Sequence, residues 1–236
     1  MKERPAIFSG PMPCAVLEGR KLQTRRIIKN ATGAFWDHAG YEPVIAACRL
    51  RWSWKATGEL SEHGPSPLCP YGWPGDKIWV REACWAWGTW RRNGQTETGR
   101  QRWRFHADDR VAPLFEKPTE DLARREGGPG WAYRHARFMP RRASRIILRV
   151  TSVRVERLQT ITDEDAIAEG CSGKDIEPIG EGGTIYAWKG RSGAASPRAH
   201  FAVLWEKING KRAPWSNNPW VWVIGFERVE TDHGSV

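Results

Sequence analysis

A lysine, a threonine and a glutamate in this chain are of types that could share a proton if the fold brought them together. Lys21 and Thr24 stand three residues apart in "GRKLQTRRI", and Glu169 lies at the end of "LQTITDEDAIAEG". Hydrolysis of an amide needs an activated nucleophile, a proton for the leaving amine and a partner for the developing oxyanion. Thr24 offers a hydroxyl or a hold on a water. Lys21 serves as a base only where desolvation or nearby cations lower its pKa, and Arg20, Arg25 and Arg26 supply such cations. Glu169 either shuttles the proton or pairs with Lys21 and orients it. Pairing raises the lysine pKa, so these roles compete. The plain alternative leaves Lys21 and Thr24 on an exposed strand and Glu169 solvated at a helix end, where a carboxylate is mildly unfavourable.

The elements that must position these residues are short. "MPCAVLEG" reads as a brief helix with Pro13 in its first turn and Gly19 closing it, and "KLQTRRII" as the strand that leaves it. The turn cluster Pro70, Gly72, Pro74 and Gly75 precedes "DKIWVREACW", a strand with Ile78 and Val80 on one face and Trp79 and Arg81 on the other. "SRIILRVTSVRVERLQTI" is the longest β-rich stretch, with one apolar and one basic face. Thr162 caps a helix with an acidic first turn, which Gly170 ends. "PRAHFAVLWEKING" places Phe201, Leu204, Trp205 and Ile208 at helical spacing, and "NPWVWVIGFERV" is a closing strand. Three stretches read as insertions in a single domain spanning 1–230: about 30–68, rich in Gly and Trp; 88–135, polar, basic and Gly-rich; and 171–197, rich in Gly and Ser. The second of these holds a strand near "WRFHAD" and a short helix near "TEDLARREG"; the third reads as a mobile loop, and 231–236 as a frayed tail. This pattern predicts an α+β, mostly β fold: a small antiparallel barrel with short helices and large loop insertions.

Composition points to a polyanionic partner. The net charge is +10, carried mainly by arginine, whose planar fork suits phosphate and stacks on bases. Fifteen tryptophans, many beside arginine as in "RLRWSW", "WGTWRR" and "RQRWRF", could line a base-stacking surface, although most should fill core and cover strands. Five cysteines without a C-x-x-C pair argue against a disulfide framework and fit a reducing cytosol. No Walker loop, G-x-G-x-x-G, G-x-S-x-G or H-E-x-x-H is present, so neither a cofactor nor a metal is expected. With no apolar leader and no stretch of spanning length, the expected location is the cytoplasm, away from membranes.

Taken in order, "GRKLQTRRI", "PGDKIWVRE", "LQTITDEDAIAEG" and "WVWVIGFERV" resemble the ASCH domain, a member of the PUA-like β-barrel superfamily. The long form, with "MPRRASRI" and "FAVLWEKINGK", is similar to proteins of bacteriophages and prophages, which would place it in a bacterial host cell. The resemblance implies binding of RNA or modified bases. It also implies an amidohydrolase activity, since a small bacterial member removes the acetyl group from N4-acetylcytidine. By the same resemblance the catalytic lysine, threonine and glutamate fall on Lys21, Thr24 and Glu169. The candidate substrate-binding residues are Arg20, Arg25 and Arg26 of the first motif and Trp79, Arg81 and Glu82 of the middle strand. Glu82 is expected to pair with an arginine of the first motif, and Asp76 to organise its own turn. The alternatives are a non-catalytic reader of RNA or modified DNA and, with less support, a ribonuclease.

Overall fold

The computed structural model describes residues 1–8, 10–29, 41–46, 49–54, 68–125, 127–171 and 196–229. The expected mobile loop, except for its ends, and the expected frayed tail lie outside the described residues, as does much of the first insertion. The elements are β1 (Glu3–Ile7), α1 (Met12–Leu17), β2 (Gln23–Ile27), β3 (Tyr41–Ala46), β4 (Arg49–Trp54), β5 (Lys77–Arg81), β6 (Cys84–Gln95), β7 (Gln101–Ala107), β8 (Gly130–Arg134), β9 (Ile147–Arg157), α2 (Asp163–Ala168), α3 (Pro197–Asn209) and β10 (Trp220–Val229). The fold is α+β and mostly β. Among the described residues its strands form three sheets, ordered β1-β5-β9-β10-β2, β3-β4 and β7-β6-β8. The five-stranded sheet is open, with β1 and β2 at its edges, which corrects the expectation of a closed barrel: its two outer strands do not pair with each other.

The chain divides into two compact units. The first holds Met1–Arg4, Cys14–Ile78 and Leu148–Val236; the second holds Pro5–Pro13 and Trp79–Ile147.

In the first unit, β10 runs antiparallel to β2 with Ile224 opposite Thr24 and Gly225 opposite Gln23. The apolar positions of β10 bury Val221 and Val223 against Phe201 and Trp205 of α3, Ala166 of α2, and Leu158, Ile161 and Cys171. Helix α3 begins where Ser196 accepts from the Ala199 N–H, with Pro197 following it. Phe201 and Trp205, one turn apart, form its buried edge, and the Trp205 indole donates to the Ala213 carbonyl at 2.8 Å. Ile208, expected on that edge, is 54% exposed, because the last turn runs past the core. Asp76 does organise its turn: its carboxylate accepts from the Trp73 and Lys2 N–H groups, and the Lys2 bond is the main reason its pKa is lowered.

In the second unit, Val80 is buried and Trp79 and Arg81 are half-buried, as alternation requires. The stretch read as one strand is two: β5 ends at Arg81 and β6 starts at Cys84. Strand β7 takes the place expected near "WRFHAD". No helix forms at "TEDLARREG" among the described residues. Asp121 and Ala123 instead exchange backbone hydrogen bonds with Trp131, and a side chain at Gly130 would strike the Asp121 carbonyl at 2.4 Å.

Register in β7-β6-β8 sorts the side chains onto two faces. One face buries Cys84, Phe105 and Ala132. The other carries four directly opposed pairs: Trp85–Tyr133, Trp87–Trp131, Thr89–His106 and Arg91–Arg104. Gly88 lets β7 approach, since a Cβ there would lie 2.1 Å from the His106 carbonyl oxygen.

Candidate active site

Two glycine-terminated helices deliver the central pair. At the end of α1, Gly19 adopts φ +73°, its N–H bonds to the Val16 carbonyl and the Arg20 N–H to that of Ala15. At the end of α2, Gly170 adopts φ +88°, its N–H bonds to the Ile167 carbonyl and the Cys171 N–H to that of Ala166. Both are Schellman closures, and the left-handed residue in each favours glycine, which has no Cβ to strain there. Lys21 therefore leaves α1 at the point where the chain turns into β2. Glu169 sits on the C-cap of α2, whose other end Thr162 caps by accepting from the Asp165 N–H.

The two residues meet although 148 positions separate them. Their backbones form an isolated antiparallel bridge, and the Leu22 N–H donates to the Ala168 carbonyl at 2.8 Å. Lys21 Nζ donates to Glu169 Oε2 at 2.8 Å and to the Glu169 carbonyl at 2.7 Å. Each side chain is only 4% exposed. The ammonium thus neutralises a buried carboxylate and satisfies a carbonyl at the helix end, where a positive charge is favoured.

Burial and pairing pull the lysine in opposite directions, and burial wins. Desolvation lowers the Lys21 pKa, Glu169 works to raise it, and the Arg26 charge adds to the lowering. Glu169 therefore takes the pairing role, and the lysine pKa is lowered in spite of that pairing.

A second layer of charge surrounds the pair. Arg25, with a fully buried side chain, donates to Asp165 at 2.8 Å and Glu156 at 3.0 Å, and reaches Glu169 at 3.5 Å. Gln23 donates to the Asp165 carboxylate at 2.9 Å, and Arg154 does so at 2.9 Å while also pairing with Glu156. Burial acts to raise the Asp165 pKa, but the Gln23 hydrogen bond and the Arg25 and Arg154 charges outweigh it and hold the carboxyl below its usual value. Nothing in the sequence marked Glu156, Asp165 and Arg154 as members of this cluster. The basic face read along β9 was the available signal.

Thr24 is 5% exposed, opposite Ile224. It lies between Gln23 and Arg25 on β2, so alternation turns it from the side that reaches Asp165. Among the described residues its hydroxyl makes no hydrogen bond to Lys21 or Glu169. Burial of Lys21, Thr24 and Glu169 overturns the alternative of an exposed strand and a solvated helix end.

The remaining candidates sort differently. Arg20 is exposed and pairs with Glu18 at 2.5 Å. Arg26 lies over the Tyr71 ring at 5.5 Å. In the second unit, Arg81 lies over Trp79 at 5.4 Å and donates to the Ala136 carbonyl at 3.1 Å. Glu82 is buried, and its partner is Arg145, which binds it with two bonds of 3.0 Å, in place of the expected arginine of the first motif. Arg145 precedes Ile146, whose carbonyl accepts the Val80 N–H, so backbone pairing delivers it to Glu82.

Among the described residues no three His, Cys, Asp or Glu side chains are grouped to hold a metal ion. Nor is any described helix long and apolar enough to cross a membrane. No family model, curated protein or solved structure matches the chain.

Proposed function

We propose that the protein is an amidohydrolase that removes the acyl group from an N4-acylated cytosine-type nucleoside or base in the cytoplasm, with Lys21, Thr24 and Glu169 carrying the chemistry. One observation carries the reading: a buried lysine of lowered pKa is held 2.8 Å from a buried carboxylate. Such a pair is poised to pass a proton. In the proposed step Thr24 positions a water, neutral Lys21 takes one of its protons, and the hydroxide adds to the acyl carbon. The C–N bond then breaks with its electron pair on the exocyclic nitrogen. Lys21, held by Glu169, returns the proton to that nitrogen, and the acyl group leaves as a carboxylic acid. The order of the four motifs supports an ASCH-type, PUA-like assignment as part of the same proposal.

The test is direct. The purified chain is incubated with N4-acetylcytidine, and cytidine and acetate are followed by chromatography. Equal release of both is expected, and its loss in Lys21→Met. A folded chain that releases neither product from the acetylated nucleoside, free base or oligonucleotide overturns the proposal.

A further inference from the structure

The outward face of the β7-β6-β8 sheet combines features that core packing does not require. Arg91 and Arg104 are exposed and stand directly opposite each other, with Arg102 two positions farther along β7 on the same face. Like charges so placed destabilise a sheet. Among the described residues none of the three arginines has an ion-pair partner, and no residue on this face of the three strands is acidic. Farther along the same face the Trp87 and Trp131 rings meet edge to face at 5.3 Å, and Tyr133 is 56% exposed. An aromatic end therefore runs into a cationic end on one continuous surface.

We infer that this face binds a single-stranded polynucleotide, with Arg91, Arg102 and Arg104 on phosphates and Tyr133, Trp87 and Trp131 against bases. Charge complementarity selects a polyanion, because an acid-free face with opposed arginines is relieved only by anions. The aromatic end selects exposed base faces, which a duplex conceals and which a lipid surface or an acidic peptide lacks. The arrangement reads backbone and ring, so it takes RNA and single-stranded DNA alike. This surface stands independently of the hydrolase proposal.

The experiment titrates the full chain into labelled oligo(U) and oligo(dT) of twenty nucleotides at several salt concentrations, with fluorescence anisotropy as readout. A duplex of equal length and phosphatidylserine vesicles are the comparison arms. Three phosphate contacts on a single strand give a log–log salt slope of about −2. Arg91→Gln with Arg104→Gln is expected to weaken binding at least about tenfold and to bring the slope to about −0.7, with one contact left. Because opposed charges are removed, its thermal midpoint should equal or exceed that of the native chain. Tyr133→Ala is expected to lose about fivefold or more in affinity at unchanged slope, the scale of one stacked base. The inference is overturned by native affinity in the folded double variant, by equal or tighter binding of duplex, or by binding to vesicles alone.

Discussion

Lys21 and Glu169 are joined twice, by a backbone bridge and by an ammonium that donates to both the carboxylate and the carbonyl of the same residue. The side-chain contact therefore does not depend on two flexible chains finding each other. The bridge fixes both Cα positions, and the lysine then has one helix end and one carboxylate within reach. Because this pair is buried, it is a structural element whatever chemistry it performs.

Breaking the pair should cost stability as well as turnover. Lys21→Met leaves the Glu169 carboxylate buried with only Arg25 nearby, and a loss of about 3 kcal/mol is expected, the low end for an orphaned buried charge. Glu169→Gln keeps an acceptor for Lys21 and should lose less. Urea unfolding measures both. A Lys21→Met midpoint equal to that of the native chain would show that the pair is replaced by solvent.

Thr24→Val separates catalysis from folding. The hydroxyl makes no hydrogen bond among the described residues, so a change that keeps the side-chain shape should move stability by less than about 1 kcal/mol. Under the hydrolase proposal turnover of N4-acetylcytidine should fall by about a hundredfold or more. Full turnover in this variant would remove Thr24 from the chemistry.

The lowered Lys21 pKa has a defined linkage sign. Below its folded-state value both states hold the proton, and the cost of burying the ammonium is fully present. Between that value and 10.5 the unfolded chain holds more protons, so stability rises with pH. Native chain and Lys21→Met, unfolded in urea at pH 7 and at pH 10, should diverge in favour of the native chain at the higher pH. A constant difference would contradict the shift.

Asp165 predicts the opposite behaviour in acid. Its folded pKa is below the usual 3.8, so its contribution is intact above that value and disappears as pH falls through the folded pKa. Asp165→Asn should lose stability near neutral pH and show a shallower decline below about pH 4. An acid profile parallel to that of the native chain would place the sensitive carboxylate elsewhere.

Arg145 supports Glu82 through two parallel bonds, a geometry that lysine cannot reproduce. Arg145→Lys should therefore recover only part of what Arg145→Ala loses. The alanine variant is expected to fall by roughly 2–3 kcal/mol, since Glu82 is buried while Arg145 is partly open to water. Equal denaturant midpoints for the two variants would indicate that packing of the arginine over Phe115, and not the carboxylate pair, supplies the stability.

Local chemistry alone determined the ends of α1 and α2 and the two faces of β5. Thr162 with its acidic first turn and Gly170 delimit α2, Pro13 and Gly19 frame α1, and alternation around Ile78 and Val80 identifies β5. These follow from hydrogen bonds and steric limits within a few residues. Local propensity failed where distant backbone competed: "TEDLARREG" has the composition of a helix, yet Trp131 takes the hydrogen bonds of Asp121 and Ala123. The charged cluster was legible only as a list of charges. Composition could not say that Arg25 would turn to Asp165 and Glu156, that Glu82 would choose Arg145, or that Arg91 would stand opposite Arg104. A charge acts over a few ångströms, so its partner is set by strand register and helix placement, which are tertiary properties. The same holds for Lys21: its chemical type was visible from the start, but its desolvation comes from the elements that close around it.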